Sequence, residues 1–375
     1  MDEALAEGLT PGEQVSIDGS TIAANASRHR LLNQQQLDSR QQQLDQALVA
    51  DQQSTPPPAL PGWMATTPAG RCAQAQHYRD ARPHLQQRLG DQQRRPKDKR
   101  LAADKVRISV SDPEAVLGLD KAKVYRPLYN LQLVRDLATP LILAWEVFAQ
   151  ATDAGTLPQL LPRVPGAKDW LADAGYATAL DLAACARAGV TLYAPYQEND
   201  FTSRRQPKRA KQLPKAAFTW LATEQTYQCP QGHRLEVEDR ERKRRADGQQ
   251  LLVTTYRCAG THCRGCPLRE QCARDPEAGR TVQRHEHEAL VEALRARMAT
   301  PEAKALYRRR GQTVELSYAD LKEHRCLRRF SGHGRQRVRT QVGLTVLVHN
   351  LLTVESALRQ KELKSPPPTP EKVAS

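Results

Sequence analysis

The sequence predicts an α/β fold in which helices flank a mixed sheet. Residues 168–193 indicate a strand over 170–172, a turn at 174–175, a helix to about 188 and a strand over 190–193. Segments 13–18, 124–134 and 141–148 also have strand patterns, and the short turn at 135–140 predicts antiparallel pairing. Helical patterns follow near 156–163 and from 284 to about 359.

Charge is the strongest compositional signal. The 375 residues include 56 Lys and Arg against 42 Asp and Glu, which gives a net charge of +14 and a pI near 9.6. This balance favours a polyanionic partner, either nucleic acid or an anionic membrane surface. The sequence shows no run of about 20 apolar residues, as a membrane span needs, and no signal peptide. We therefore expect a cytoplasmic protein that binds nucleic acid and no membrane.

Two polar segments interrupt the predicted sheet. Residues 28–105 are rich in Gln, carry leucines that favour a helix, and contain the proline-rich run 54–68, so they predict a helical, partly disordered insertion. Residues 198–282 form a second, Cys-rich insertion. The core domain then consists of 1–27, 106–197 and 283–360, and residues 361–375 are expected to be a disordered tail.

Three acidic residues follow the predicted elements in an order that suits metal-assisted phosphodiester chemistry. Asp18 ends the first predicted strand, Asp173 follows the strand at 170–172, and Glu315 lies on a late helix. Two divalent ions acting on a phosphodiester need hard oxygen ligands that converge from separate elements. Lys322 lies seven residues after Glu315 and shares its helical face, where a phosphate would lie.

Each of these acids also has an ordinary interpretation. An Asp at the end of a strand is usually a cap or turn former, and a lone Glu on a helix is usually solvated. Other acids in the same regions are rivals for the same role: Asp112, Asp120, Asp136, Asp153 and Asp181.

Five of the eight cysteines lie between 229 and 272, which favours a metal site over a secreted disulfide scaffold. Cys263 and Cys266 have the spacing of a zinc knuckle, and Cys229 with Cys272 would complete a tetrahedral Cys₄ set. Cys258 is then the expected spare residue, and His233 or His262 could substitute for a sulfur. The alternative is a loop of unmetallated cysteines. We expect one structural Zn²⁺ in a zinc-ribbon-like insertion.

Basic tracts border these features and could follow a DNA backbone. A run of charges is more often a solvated face, but the excess positive charge of the whole chain favours DNA contact. The candidate DNA-binding residues lie in 203–215 and around the helix that carries Glu315: Arg204, Arg205, Lys208, Arg209, Lys211, Arg308, Arg309, Arg310, Arg325, Arg328 and Arg329.

Four ordered motifs resemble one protein family. They are IDGSTIAANAS at 17–27, YNLQLVRD with LILAWEV at 129–147, LADAGY at 171–176, and RRRGQTVELSYADLKEHRCLRRFSGHG with VGLTVLVHN at 308–350. The order is similar to that of bacterial insertion-sequence transposases with a DDE catalytic domain, in the subgroup that has a Cys-rich insertion before the last acid.

That resemblance implies an RNase H-like mixed sheet whose metal-binding triad is Asp18, Asp173 and Glu315. It also implies strand cleavage and transfer on transposon ends and target DNA with two Mg²⁺ or Mn²⁺ ions, with a homodimer on DNA as one possible assembly. A bacterial member would act in the cytoplasm, at the nucleoid.

Two departures from the family pattern bear on activity. Ala319 stands where members often have Gly, and only 17 residues precede Asp18, where members carry a helical region that binds DNA ends. The sequence therefore also allows an N-terminally truncated, inactive remnant that only binds DNA.

Overall fold

The structure, a computed structural model, describes residues 8, 10–53, 59–95, 97–120, 122–196, 213–244 and 250–364. The chain divides into two compact units: residues 1–194 with 297–375, and residues 195–296. The second unit contains the segment 198–282, which was expected to be the Cys-rich insertion, together with residues 195–197 and 283–296. Among the described helices, none is both long and apolar enough to cross a membrane.

The described strands of the first unit form a six-stranded mixed sheet and a separate pair. They are β1 Gln14–Ala23, β2 Leu31–Leu32, β3 Ile108–Ser109, β4 Val116–Leu119, β5 Tyr125–Asp136, β6 Ile142–Phe148, β7 Asp169–Leu171 and β8 Thr191–Tyr193. The sheet has the order β4–β5–β1–β7–β8, β6 also pairs with β5, and the separate pair is β2 with β3. Strands β1, β5 and β6 pair antiparallel, whereas β1, β7 and β8 pair parallel. This mixed α/β arrangement is consistent with an RNase H-like DDE domain.

The strands of the second unit are β9 Thr219–Leu221, β10 Thr226–Gln228, β11 Arg234–Arg244, β12 Gln250–Arg257 and β13 Thr281–His285. The α-helices of the whole described chain are α1 Gln34–Gln52, α2 Pro68–Arg94, α3 Leu157–Leu160, α4 Ala179–Ala188, α5 Gly260–Arg264, α6 Arg269–Cys272, α7 Glu288–Ala299, α8 Pro301–Arg308, α9 Val314–Glu323 and α10 Arg335–Lys364. Short 3₁₀ segments occur at Lys97–Lys99, Ala103–Lys105, Leu161–Arg163, Ala174–Tyr176, Lys215–Ala217 and Arg309–Gln312.

The main core of the first unit lies between the sheet and the last two helices. Buried side chains of β5, such as Tyr129 and Leu133, pack with Leu321 of α9 and Val342 of α10. The side-chain amide of Asn350 completes the contact, because it accepts from the amide of Ile142 at 3.0 Å and donates to the carbonyl of the same residue at 2.9 Å. Helix α10 is thereby fastened to strand β6.

His349 has a similar structural place. Its Nδ1 lies 2.7 Å from a carboxylate oxygen of Asp320 and its Nε2 lies 3.0 Å from the carbonyl oxygen of Pro140. Both neighbours are acceptors, so the ring links α9 and α10 to the turn before β6. Neither His349 nor Asn350 faces the acids considered below.

The segment at 28–105 is a packed helical hairpin. Asn33 begins α1 with a capping box to Gln36, and Thr67 with Pro68 begins α2. The two helices share a core of their own with the pair β2 and β3: Leu32, Leu37, Leu44, Ala47, Met64, Ala75, Tyr78, Ala81, Leu85, Val106 and Ile108. The buried guanidinium of Arg71 pairs with Asp51 and so joins the two helices. The leucines of this segment therefore pack into a core in the described residues, and residues 54–58 of the proline run lie outside them.

The second unit is built on an antiparallel sheet of order β13–β12–β11–β10–β9. Its core combines Phe218, Tyr227, Tyr256 and Val282 with the clustered cysteines. The guanidinium of Arg284 lies 4.0 Å from the ring centroid of Trp220.

The secondary structure differs from the sequence-based prediction at several points. Strand β1 continues to Ala23, so Asp18 lies in the middle of a strand and not at its end. Strand β4 was not predicted, and β13 extends to His285, where a helix was expected from 284. Helix α10 continues to Lys364, into the tail expected to be disordered; residues 365–375 lie outside the described chain.

Truncation of the hairpin core gives a direct test of its packing. Leu44 is fully buried, so Leu44→Ala should lower the free energy of unfolding by about 2–5 kcal/mol, since it removes apolar contacts and leaves a cavity. Val49 on the same helix is 51% exposed, and Val49→Ala should change it by less than about 0.5 kcal/mol. Urea unfolding followed by circular dichroism measures both; equal stability of the two variants would show that the hairpin lacks a packed core.

Candidate active site and cysteine cluster

Parallel pairing of β1 with β7 brings Asp18 and Asp173 together. The last paired residues are Ser16 and Leu171, and each acid lies two positions beyond its member of that pair. Asp173 caps the turn that follows β7, where its Oδ1 accepts from the amide of Gly175 at 2.7 Å. The carboxylate of Asp173 is close enough to Asp18 to raise the pKa of Asp18. The equal offset along neighbouring strands is the reason for this proximity.

Asp18 is largely removed from solvent. Its side chain is 16% exposed, and its Oδ1 lies 3.0 Å from Nη2 of Arg310. The pKa of Asp18 is raised to about 6, mainly by burial; Arg310 and the amide of Gly19 lower it, and the nearby carboxylates of Asp173 and Asp153 contribute to the increase. Arg310 and the amide of Gly19 therefore compensate only part of the cost of an ionised Asp18.

A third carboxylate, that of Asp153, lies at the same place. Its Oδ1 accepts from Nδ2 of Asn130 at 2.8 Å and from Nε2 of Gln132 at 2.6 Å. The hydroxyl of Tyr176 donates to the other side of the Gln132 amide, which fixes the direction in which that amide points. The sequence offered Asp153 only as one of several alternative acids. Its sequence position did not indicate that it lies near Asp18.

Gly19 makes that approach possible. A Cβ atom at this position would lie 2.0 Å from Oδ1 of Asp153 and 2.3 Å from Nε2 of Gln132. A glycine inside a strand marks a place where another group comes close to the backbone. The dipeptide Asp18–Gly19 was thus the sequence signal for a neighbouring polar group.

The other rival acids have structural partners. Asp112 accepts from the hydroxyl of Tyr129 at 2.6 Å, and Asp120 pairs with Arg126 at 3.0 Å. Asp136 accepts from the amide and hydroxyl of Thr139 in the turn before β6, and Asp181 accepts from the hydroxyl of Thr178 at the start of α4.

Helix α9 lies along strand β1 with two of its polar side chains on that strand. The hydroxyl of Tyr318 lies 3.0 Å from the carbonyl oxygen of Asp18, and Nζ of Lys322 donates to Oγ of Ser20 at 2.6 Å. Glu315, on the same helix, is exposed, and it forms no hydrogen bond or ion pair with another described residue. The structure thus brings Lys322 to the strand that carries Asp18 but does not join Glu315 to Asp18 and Asp173. Within the described parts of the chain, no three His, Cys, Asp or Glu side chains are arranged to hold a metal ion.

The basic residues around α9 have different surroundings. Arg310 pairs with Asp18, Arg325 with Asp320, and Arg328 with Glu323. Arg308 and Arg309 are exposed, and Nη1 of Arg309 donates to Gln14 at 3.3 Å. Arg329 is exposed and lies beside Asn25, just after the end of β1. The other candidate DNA-binding residues lie outside the described residues: Arg204, Arg205, Lys208, Arg209 and Lys211.

The cysteines between 229 and 272 are all free thiols that lie close together. The thiol of Cys258 forms hydrogen bonds with those of Cys263 and Cys229, and Cys272 lies near Cys263 and Cys266. Burial and the neighbouring Cys263 raise the pKa of Cys258 to about 12. Cys258, the expected spare residue, lies beside the other cysteines just after β12, where its amide donates to the carbonyl of Arg280 at 2.8 Å. The rings of His233 and His262 stack, with centroids 4.2 Å apart.

Stability should depend on the ionisation of Asp18. Its pKa is about 6 in the folded protein, against an ordinary value near 4, so the folded state favours the protonated acid. The raised pKa contributes fully to the free energy of unfolding below about pH 4, and this contribution is lost as the pH rises to about 6. Its size is at most roughly 2–3 kcal/mol. Asp18→Asn removes this term.

Unfolding free energies of wild type and Asp18→Asn, measured from about pH 4 to pH 8 with chelator present, test this expectation. The Asn variant should gain stability relative to wild type between about pH 4 and 6, and the difference should stay constant above about pH 7. A difference that does not vary with pH would contradict a raised pKa at Asp18.

Comparison with known proteins gives one match. Residues 228–354, about a third of the chain, match the model of a family described as a transposase DDE domain. No curated protein and no solved structure matches the chain. The matched region includes the cysteine cluster and helix α9 with Glu315 and Lys322, whereas Asp18, Asp153 and Asp173 precede it. The match supports a DDE transposase.

Proposed function

We propose that this protein is the DDE transposase of an insertion sequence and that it cleaves and joins DNA strands with Mg²⁺ or Mn²⁺. The observation that carries the proposal is the equal offset of Asp18 and Asp173 beyond the paired residues of β1 and β7. The family match over 228–354 and the order of the four motifs support the same function.

The chemistry of the acids suits a divalent ion. Carboxylate oxygens are the ligands that Mg²⁺ prefers, and the raised pKa of Asp18 marks a site that a cation would stabilise. We propose that Asp18 and Asp173 would be ligands of the divalent ions and that Glu315 would supply a third carboxylate. When bound, such ions activate the attacking water or hydroxyl and stabilise the leaving oxygen.

Other residues of the chain would position the DNA strand. The ammonium of Lys322 donates to the hydroxyl of Ser20, two residues from Asp18, and it can also bind a phosphate oxygen there. Arg310 pairs with Asp18, and its guanidinium could also bind a phosphate oxygen beside that carboxylate. Tyr318 keeps α9 against β1 and so sets the distance between these groups and the acids.

The cysteine cluster supports a structural zinc site in the second unit. The thiol of Cys258 contacts those of Cys229 and Cys263, and Cys272 lies near Cys263 and Cys266. Thiolates in such a cluster would bind Zn²⁺ tetrahedrally, and metal binding would stabilise the folded second unit. We propose that four of these five residues bind one ion.

Replacement of Glu315 tests the transposase proposal. Glu315→Gln keeps the size of the side chain but removes the charge that binds metal, so DNA cleavage with Mg²⁺ or Mn²⁺ should fall at least roughly a hundredfold. DNA binding should persist and should weaken steeply with salt, because basic residues carry it. Cleavage of one DNA substrate by both purified proteins is the measurement.

Glu302→Gln provides the matched control, since Glu302 is an exposed glutamate on the preceding helix α8. It should cleave as wild type does. Equal cleavage by wild type and Glu315→Gln would contradict the assigned role of Glu315. Salt-sensitive binding without cleavage by any of the proteins would make this a DNA-binding protein without nuclease activity.

Metal content tests the zinc proposal. Protein expressed with zinc in the medium should carry about one Zn²⁺ per chain. Cys266→Ser should lower that content below half and increase proteolysis of the second unit, whereas the control Cys72→Ser changes an exposed residue of α2 and should have no effect. Wild-type protein without zinc in elemental analysis would refute the site.

A further inference from the structure

A large groove opens at the end of strand β1, between the main sheet and the helical hairpin. It has a volume of about 1010 Å³ and is lined by residues 23–32, by parts of α1 and α2, and by the segment around Trp63. Small-molecule pockets usually measure about 300–1,000 Å³, so this groove has room for more than one nucleotide. It lies entirely within the first unit.

The lining of this groove is strongly basic. It contains six arginines: Arg28, Arg30, Arg40, Arg107, Arg126 and Arg329. None of the lining residues is Asp or Glu, in the part of the chain that the structure describes. Arg126 pairs with Asp120 just outside, whereas the other five form no ion pair with a described residue. A concave surface with this charge concentrates anions.

An aromatic surface lies against these charges. Trp63 is half-buried, and the guanidinium of Arg40 lies 4.8 Å from the centroid of its ring. Tyr78 is buried in the hairpin core behind Trp63, with its ring 6.2 Å from that of Trp63 and its hydroxyl 3.5 Å from Nη1 of Arg40, so Trp63 is the ring that a base could reach. Flat aromatic and guanidinium groups offer stacking surfaces to unpaired bases, which a duplex keeps stacked on each other.

The groove is connected to the candidate active site. Ala23 lines it and lies five residues after Asp18 on β1, which corresponds to about 17 Å along a strand. On the other side, Arg329 pairs through its backbone with Ala23, and the amide of Phe330 donates to the Ala23 carbonyl at 2.9 Å. Both elements that border the acids, β1 and the segment after α9, therefore continue into the groove.

From these observations we infer that the groove binds a single-stranded segment of DNA, with the arginines on its phosphates and Trp63 against a base. The inference gives the helical hairpin a function, because the hairpin forms the side of the groove that contains α1, Trp63 and Tyr78. The choice of DNA rests on the proposed transposase function. The single-stranded preference rests on the groove alone.

Binding of a labelled single strand of about 12 nucleotides to the full chain, measured by fluorescence anisotropy in chelator, tests this inference. Arg30→Gln with Arg107→Gln should weaken binding roughly tenfold and make the slope of log affinity against log salt shallower by about 1.4. The control is Arg79→Gln with Arg94→Gln, which removes the same charge from exposed positions of α2 outside the groove, and it should bind within about twofold of wild type.

Substitution of Trp63 separates stacking from charge. Trp63→Leu should weaken single-strand binding roughly tenfold, while Trp63→Phe should keep most of the affinity. Thermal unfolding of both variants shows whether the hairpin still folds. A duplex of the same sequence should bind through other basic surfaces and should be insensitive to both Trp63 variants.

The inference is overturned if the groove variants and the control variants bind the single strand equally, or if Trp63→Leu and Trp63→Phe bind as wild type does. It is also overturned if duplex binding falls by the same factor as single-strand binding. Because these measurements exclude divalent metal, they do not depend on cleavage. Loss of binding in the groove variants of a protein that never cleaves DNA would support the groove and refute the proposed enzyme.

Discussion

The position of strand β1 between an antiparallel and a parallel neighbour constrains the first unit. Its antiparallel partner β5 brings the amides of Asn130 and Gln132 to it, and its parallel partner β7 brings Asp173. Asp18 must then remain in a sheet interior with other carboxylates near it, at an electrostatic cost that its raised pKa expresses. A buried carboxylate with a raised pKa beside other acids is typical of a functional site.

The groups around Asp18 reduce this cost without removing it. Arg310 balances one carboxylate, and two side-chain amides with the Tyr176 hydroxyl orient another, that of Asp153. Gly19 has no Cβ to obstruct that carboxylate. The same arrangement keeps the carboxylates of Asp18, Asp153 and Asp173 near one another while each has a hydrogen-bond partner of its own in the protein.

The two insertions extend the core domain in different ways. The hairpin of α1 and α2 has its own apolar core and forms one wall of the basic groove at the end of β1. The second unit has few large apolar side chains, so its small sheet depends on aromatic residues and clustered cysteines. Neither the hairpin nor the second unit interrupts the pairing of the central strands β1, β5 and β7.

The sequence by itself determined the elements whose signals are local. Alternating apolar residues predicted β5, β6 and the strands around α4, and the ordered motifs predicted a mixed α/β sheet and singled out Asp18 and Asp173. The tertiary structure decided what depends on contacts between distant residues. The approach of Asp153 to Asp18 results from a loop folding over Gly19, the inclusion of Cys258 in the cluster results from strand packing, and the groove joins residues 23–32 with Trp63 and Arg329. Such contacts are absent from any local pattern, because they arise only when separate segments bury their apolar faces together.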